Sequence, residues 1–174
     1  MKKSYLTKGF KYFVLLLLVF NLFVSCRHDH KRLSKAENTF VKDSVSKMAA
    51  NIARDVSNKG PAAWVNYFED TPNFFMANEG LLVFHDYQSA KTFILNTVVK
   101  MIPHITLRWS NLRIDPLNAR LASIGADFHE DQVLSTGKNL SIDGYFTGIV
   151  HYDGHHWKLR NCHWSVKASD KAVK

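Results

Sequence analysis

The sequence predicts an α+β domain in which three helices precede and interrupt a mainly antiparallel sheet, in the order α-α-β-β-α-β-β-β-β. Three observations carry this. Before Pro103, apolar residues recur at helical steps of three and four, as in Val41, Val45, Met48, Ile52 and Val56. From Ile105 onward they alternate with a period near two, the strand repeat. Turn signals at Asp115-Pro116, Gly137-Lys138-Asn139 and Asp153-Gly154 then cut this remainder into four strands.

Each element has its own signal. Ser34-Lys35-Ala36-Glu37 fits a capping box at the start of a long helix that runs to about Asn58. Gly60 ends it, and Pro61 opens a shorter helix bearing Trp64, Tyr67 and Phe68. Thr71-Pro72 stops that helix. Residues 73–77 and 81–84 are apolar runs around Asn78-Glu79-Gly80, which reads as a tight hairpin. Asp86 or Ser89 caps a third helix with Phe93, Ile94, Val98 and Met101 on its buried side.

On the last strand Trp157, Leu159, Asn161, His163 and Ser165 share one face, and Lys158, Arg160, Cys162 and Trp164 the other. Earlier strands give the rows Leu107-Trp109-Asn111, Ser123-Gly125-Asp127-His129 and Tyr145-Thr147-His151. Which rows face inward depends on bulges, which alternation does not locate.

The N-terminus carries a separate message. Lys2, Lys3, Lys8 and Lys11 precede an apolar run that closes on Leu22-Phe23-Val24-Ser25-Cys26. A secretory signal needs a positive start, an apolar core of about 7–15 residues and a small residue before the cut. Residues 12–25 number 14, short of the roughly 20 that span a bilayer. With cysteine directly after Ser25, the segment resembles the bacterial lipoprotein signal, in which that thiol receives diacylglycerol and becomes the mature N-terminus. The expected division is a cleaved signal peptide at 1–25, a lipidated Cys26 with a basic tether at 26–35, a domain at 36–166 and a tail at 167–174. The bilayer is thus an expected partner, through Cys26. Because Arg27 is not the aspartate that resembles an inner-membrane retention signal, the expected location is the cell envelope at the outer membrane, facing periplasm or surface.

The formal charge of +8 sits largely in this segment. Signal and tether account for nearly all of it, so residues 36–174 are close to neutral. A nucleic-acid binder carries its basic stripe on the folded surface, so no nucleic-acid partner is expected. With Cys26 lipidated, Cys162 has no partner and reads as a small core residue. His28 and His30 form an incidental pair in the tether, and no carboxylate or cysteine stands at helpful spacing from His151, His155 and His156. Neither a metal nor a cofactor is expected.

Gly144-Tyr145-Phe146-Thr147 resembles the Gly-x-x-Thr of the penultimate strand in SnoaL-like domains. Asp153-Gly154-His155-His156-Trp157-Lys158-Leu159, followed by Cys162-His163-Trp164-Ser165, resembles their last hairpin. The resemblance is to the nuclear transport factor 2-like superfamily. It implies a cone-shaped fold whose strongly curved sheet wraps the helices and leaves a pocket at its wide end. The superfamily includes isomerases, cyclases, dehydratases and binding domains.

Ketosteroid-isomerase-like members use a carboxylate late in the first strand as base. The resembling position is Ala77, so the expectation leans away from an enzyme. Asp127 and His129, spaced by two, are the substitute acid-base pair of an isomerase- or dehydratase-type alternative, with Tyr145 or Tyr67 as donor to an oxyanion. Trp64, Tyr67, Phe74, Trp109 and Tyr145, with His163, are the candidate ligand-binding residues. Superfamily members also pair through the outer sheet face, where Trp164 and Tyr152 would suit a homodimer. The reading is a lipid-anchored protein binding a small apolar or amphipathic ligand or an envelope partner. A structural or secretion-accessory module is the further alternative.

Overall fold

The computed structural model describes residues 32–167. The expected signal peptide, Cys26, the tether up to residue 31 and the tail from residue 168 lie outside the described residues.

Helix α1 spans Lys35–Lys59. The capping box is formed: Ser34 Oγ accepts from the Glu37 amide at 3.2 Å, and Glu37 Oε2 accepts from the Ser34 amide at 2.8 Å. The stripe Val41, Val45, Met48, Ala49, Ile52 and Val56 is buried, as a one-faced helix requires. Gly60, at φ +76°, ends the helix, its amide bonding back to the Val56 carbonyl. The expected second helix is a 3₁₀ helix, Pro61–Tyr67, which buries Pro61, Ala63, Trp64 and Val65.

Strands β1 (Phe75–Asn78) and β2 (Leu81–Phe84) form the hairpin. Glu79 and Gly80 both have positive φ, 48° and 78°, the signature of a type I′ turn, whose twist matches that of the strands. Helix α2, Tyr87–Phe93, is capped by Asp86, which accepts from the Ser89 amide at 2.7 Å. A π turn, Ile94–Val98, and a last turn, Val99–Met101, extend it. The π turn inserts a residue and rotates the buried face. Ile94 is therefore buried while Met101, expected inside, is 54% exposed.

Strands β3 (His104–Asn118), β4 (Leu121–Val133), β5 (Asn139–Tyr152) and β6 (Trp157–Val166) form a meander. The six-stranded sheet has the order β2-β1-β6-β5-β4-β3, open at both ends, and only the β1–β6 pair is parallel.

Two bulges settle the faces. In β3, Asn111 adopts φ +51° where the register jumps between Ser110 and Arg113. The inward row Ile105-Leu107-Trp109 therefore continues through Leu112 and Ile114, and Asn111 is exposed. In β6, Val150 pairs with Leu159 but Ile149 pairs with Asn161, leaving Arg160 as the extra residue. The inward row becomes Trp157, Leu159, Cys162 and Trp164, which splits the row expected from simple alternation. Trp164 and Tyr152 accordingly face the core, not a partner. Trp164 packs against Trp64 at 5.3 Å, Phe128 at 4.7 Å and Phe146 at 4.9 Å, and Tyr152 against Trp157 at 5.5 Å between ring centres.

Fully buried core residues run from Val41 to Cys162. The compact unit that begins at Leu33 thus contains its own core, as a unit able to fold alone does. Burial pushes the Cys162 thiol up to about 12, which makes it unreactive.

Candidate functional site

Between the concave sheet face and the helices lies a cavity of about 320 Å³. Every layer contributes an aromatic wall: Trp64 from the 3₁₀ helix, Phe84 from β2, Phe93 from α2, Phe128 from β4 and Trp164 from β6. Val83, Phe93 and Val166 line it and are also 40%, 44% and 41% exposed, so they form its rim. Its polar side chains are Asn78, Glu130 and Gln132, and among the described residues no Lys, Arg or His lines it.

Glu130 is the chemically distinctive group. The row Ala122, Ile124, Ala126, Phe128 faces inward along β4 and is continued by Glu130 and Gln132, both of which are buried. Leu107 of β3 and Ile142 of β5 flank Glu130 in register. Its hydrogen-bond partner among the described residues is Gln132, whose Nε2 donates to Glu130 Oε2 at 2.6 Å. Burial holds the Glu130 carboxyl above the usual carboxylate range, and the Gln132 bond pulls back in part. An apolar surround favours the neutral form of an acid. Across the sheet, Asn78 Oδ1 is buried without a partner.

A stability signature follows. A carboxyl whose folded pKa is raised contributes stability that is fully present below its unfolded value and lost as pH rises through the folded value. Glu130→Gln removes that decline. In urea titrations across acidic to neutral pH, the variant is expected to gain on the wild-type domain as pH rises. Parallel curves would refute the burial account.

The other expected site residues divide by face. Trp64 lines the cavity. Trp109 stands behind it, edge-on to Trp64 at 6.3 Å, with its Nε1–H donating to the Ala49 carbonyl at 3.0 Å. Phe74 is fully buried against Phe68 at 4.7 Å, in the core and not on the cavity surface. Tyr67 is tied to α1, its hydroxyl donating to Asp55 Oδ2 at 2.8 Å. Burial and that carboxylate push the phenol up to about 12, so Tyr67 is a brace and not a cavity donor.

Asp127, His129, Tyr145 and His163 occupy the outer face of the sheet, opposite the cavity. Asp127 Oδ2 accepts from Asn111 Nδ2 at 2.6 Å. His129 lies between Asp143, at 2.7 Å from Nδ1, and Asp131, at 3.1 Å from Nε2. The expected pair is thus two separate surface clusters. The Asp143 and Asp131 hydrogen bonds raise the His129 pKa. Ser141 and then Arg108 lower Asp131 to about 2. Ala77 likewise faces outward, into a groove with Phe75, Tyr145, Thr147 and His163, while its neighbours Met76 and Asn78 line the cavity. His151 Nδ1 meets Glu69 Oε1 at 2.7 Å. No cluster suited to a metal ion occurs among the described residues.

Neither a protein-family model nor a curated protein sequence matches the chain. Solved structures do. A nuclear transport factor 2-like superfamily protein from Salmonella enterica superposes with a TM-score of 0.65 at 15% identity, covering 78% of this chain and 97% of its own. LinA superposes with a TM-score of 0.64 at 14% identity, covering 78% and 92%. The hexachlorocyclohexane dehydrochlorinase LinA-type3 from Novosphingobium barchaimii gives 0.63 at 13% identity, again covering 78% and 92%. The fold is therefore the nuclear transport factor 2-like cone: helices packed against a curved, open, mixed sheet of six strands.

Proposed function

We propose that this chain is a lipid-anchored envelope protein whose cone domain binds a small apolar or amphipathic molecule in the inner cavity. The observation that carries the binding reading is an open, aromatic-walled space holding one desolvated carboxyl, Glu130, with a single partner. Ligand sites are mostly apolar concavities of about 300–1,000 Å³ with few polar anchors, and this one falls at the small end. An open concavity of this kind favours the pocket reading over a module serving only protein contact.

Anchoring is argued from sequence, through the basic start, short apolar core and Ser25-Cys26 junction. Cys26 would carry the lipid, and the outer membrane remains the proposed site. Pairing of two copies is proposed through the outer sheet face, where Phe75 and Tyr145 are exposed.

A second reading, acid-base chemistry of isomerase or dehydratase type, draws support from the raised carboxyl of Glu130, since such groups in clefts are candidate acids and bases. Glu130 would take the role expected of Asp127 and His129. Against it, among the described residues no second titratable side chain lines the cavity.

Native mass spectrometry of the full chain purified from its own envelope tests these proposals together. The expected spectrum has a mature mass starting at Cys26 with acyl groups, a dimer, and a retained small molecule that is lost from Val98→Trp, which fills the cavity from the π turn. An unprocessed N-terminus removes the anchor, a monomer removes the pairing, and an empty protein removes the ligand.

A further inference from the structure

On the binding reading proposed above, we infer that the cavity's ligand carries a protonated amine, seated on Glu130. The argument starts from what the lining lacks. Glu130 is 8% exposed, and among the described residues no Lys, Arg or His faces it from any layer. Leu107 and Ile142 flank it in the sheet, Phe128 precedes it on the same face, and Ile94, Val98 and Ile102 line the same cavity from the helical side. The protein supplies one donor, Gln132 Nε2, and that donor reaches one carboxylate oxygen.

Charges buried in proteins are paired. Among the described residues no such partner lines the cavity, so for an ionised Glu130 it comes with the ligand. An ammonium group supplies it through a charge-assisted hydrogen bond to the carboxylate. The aromatic faces of the same wall, Phe128 beside Glu130 and Trp164 stacked edge-on to it at 4.7 Å, attract a cation through the negative face of the ring. An anionic head group would meet a carboxyl with no basic residue to offset it. The unpartnered Asn78 Oδ1 is a further acceptor on the wall, so the unfilled capacity of the lining favours ligands that donate.

The amine is held by the ionised carboxylate, whereas burial in the empty cavity raises the Glu130 pKa. Amine affinity therefore falls as the pH drops through the Glu130 pKa and the carboxylate is protonated.

Calorimetric titration of the domain from Leu33 onward with phenylethylamine, phenylethanol and phenylacetate tests this, because the three share an apolar body and differ in head group. The expected result at neutral pH is at least about tenfold tighter binding of the amine than of the alcohol. Phenylacetate should be weakest, and amine affinity should fall when the pH is lowered. In Glu130→Gln the amine advantage should vanish while phenylethanol still binds, which shows the variant folded. Equal or tighter binding of the alcohol, or an amine preference that survives Glu130→Gln, overturns the inference and leaves the binding reading standing. Failure of all three to bind overturns both.

Discussion

Truncating Phe146 to alanine is expected to lower the unfolding free energy by about 3–5 kcal/mol, the usual loss for a buried aromatic. Phe146 is 2% exposed and its ring meets Trp109 at 5.3 Å and Trp164 at 4.9 Å. Two further rings lean on the same group, with Trp64 and Phe128 both edge-on to Trp164. Removing Phe146 therefore costs the transfer energy of its own ring and leaves a void under a tryptophan that walls the cavity. Neighbours this large relax poorly into such a void, which places the loss well above that of an aliphatic deletion. Denaturant titration would register the change as a lower midpoint at unchanged slope. A loss under about 1 kcal/mol would mean that Trp164 collapses into the gap, and the cavity would then gain volume. Phe146→Leu retains most of the packing and should cost less.

The order of elements was legible because each rests on local chemistry. The capping box at Ser34 and Glu37, Gly60-Pro61, the Asn78-Glu79-Gly80 turn and the switch of period at Ile105 are all short-range signals, and each marks the boundary expected of it. The faces of β3 and β6 were not legible. They turn on the bulges at Asn111 and Arg160, and nothing in the flanking residues distinguishes a bulged strand from a regular one. One unseen residue in β6 moves Cys162 and Trp164 to the inside and His163 to the outside. The π turn after α2 hides in the same way, because Ile94–Val98 reads as ordinary helix.

Glu130 is a different case. β4 has no bulge in its pairing with β5, so the apolar row Ala122, Ile124, Ala126, Phe128 already pointed to Glu130 and Gln132 as its inward continuation. Composition masks that signal. Asp127, His129 and Asp131 surround Glu130 with polar residues near a turn, and a strand end of that kind is ordinarily solvated. A carboxyl that keeps the inward parity of an apolar row is the local conflict between pattern and propensity that marks functional positions.

The Gly-x-x-Thr resemblance rests on a position whose physical reason is visible, and Gly144→Ala is expected to be the most damaging of the glycine substitutions. A Cβ there would sit 2.5 Å from Phe128 ring atoms and closer still to the Ser165 carbonyl oxygen. The two obstacles differ in kind. The Phe128 ring turns on its own torsions, whereas the Ser165 carbonyl is backbone in the β5–β6 ladder, where Tyr145 pairs with Ser165 and Gly144 with Val166. Overpacking costs about 1–3 kcal/mol when side chains can give way, and more when backbone must, so a loss of at least about 3 kcal/mol is expected for Gly144→Ala. The double variant Gly144→Ala with Phe128→Leu separates the causes, since residues in contact show coupling of about 0.5–3 kcal/mol. Because the carbonyl is the nearer obstacle, the leucine should recover the smaller part of the loss. Full recovery would instead mean that glycine is needed to let the Phe128 ring lie flat on β5. In that event the same residue that permits the ladder also sets the wall beside Glu130, and Gly144→Ala would reshape the cavity as well as destabilise the fold.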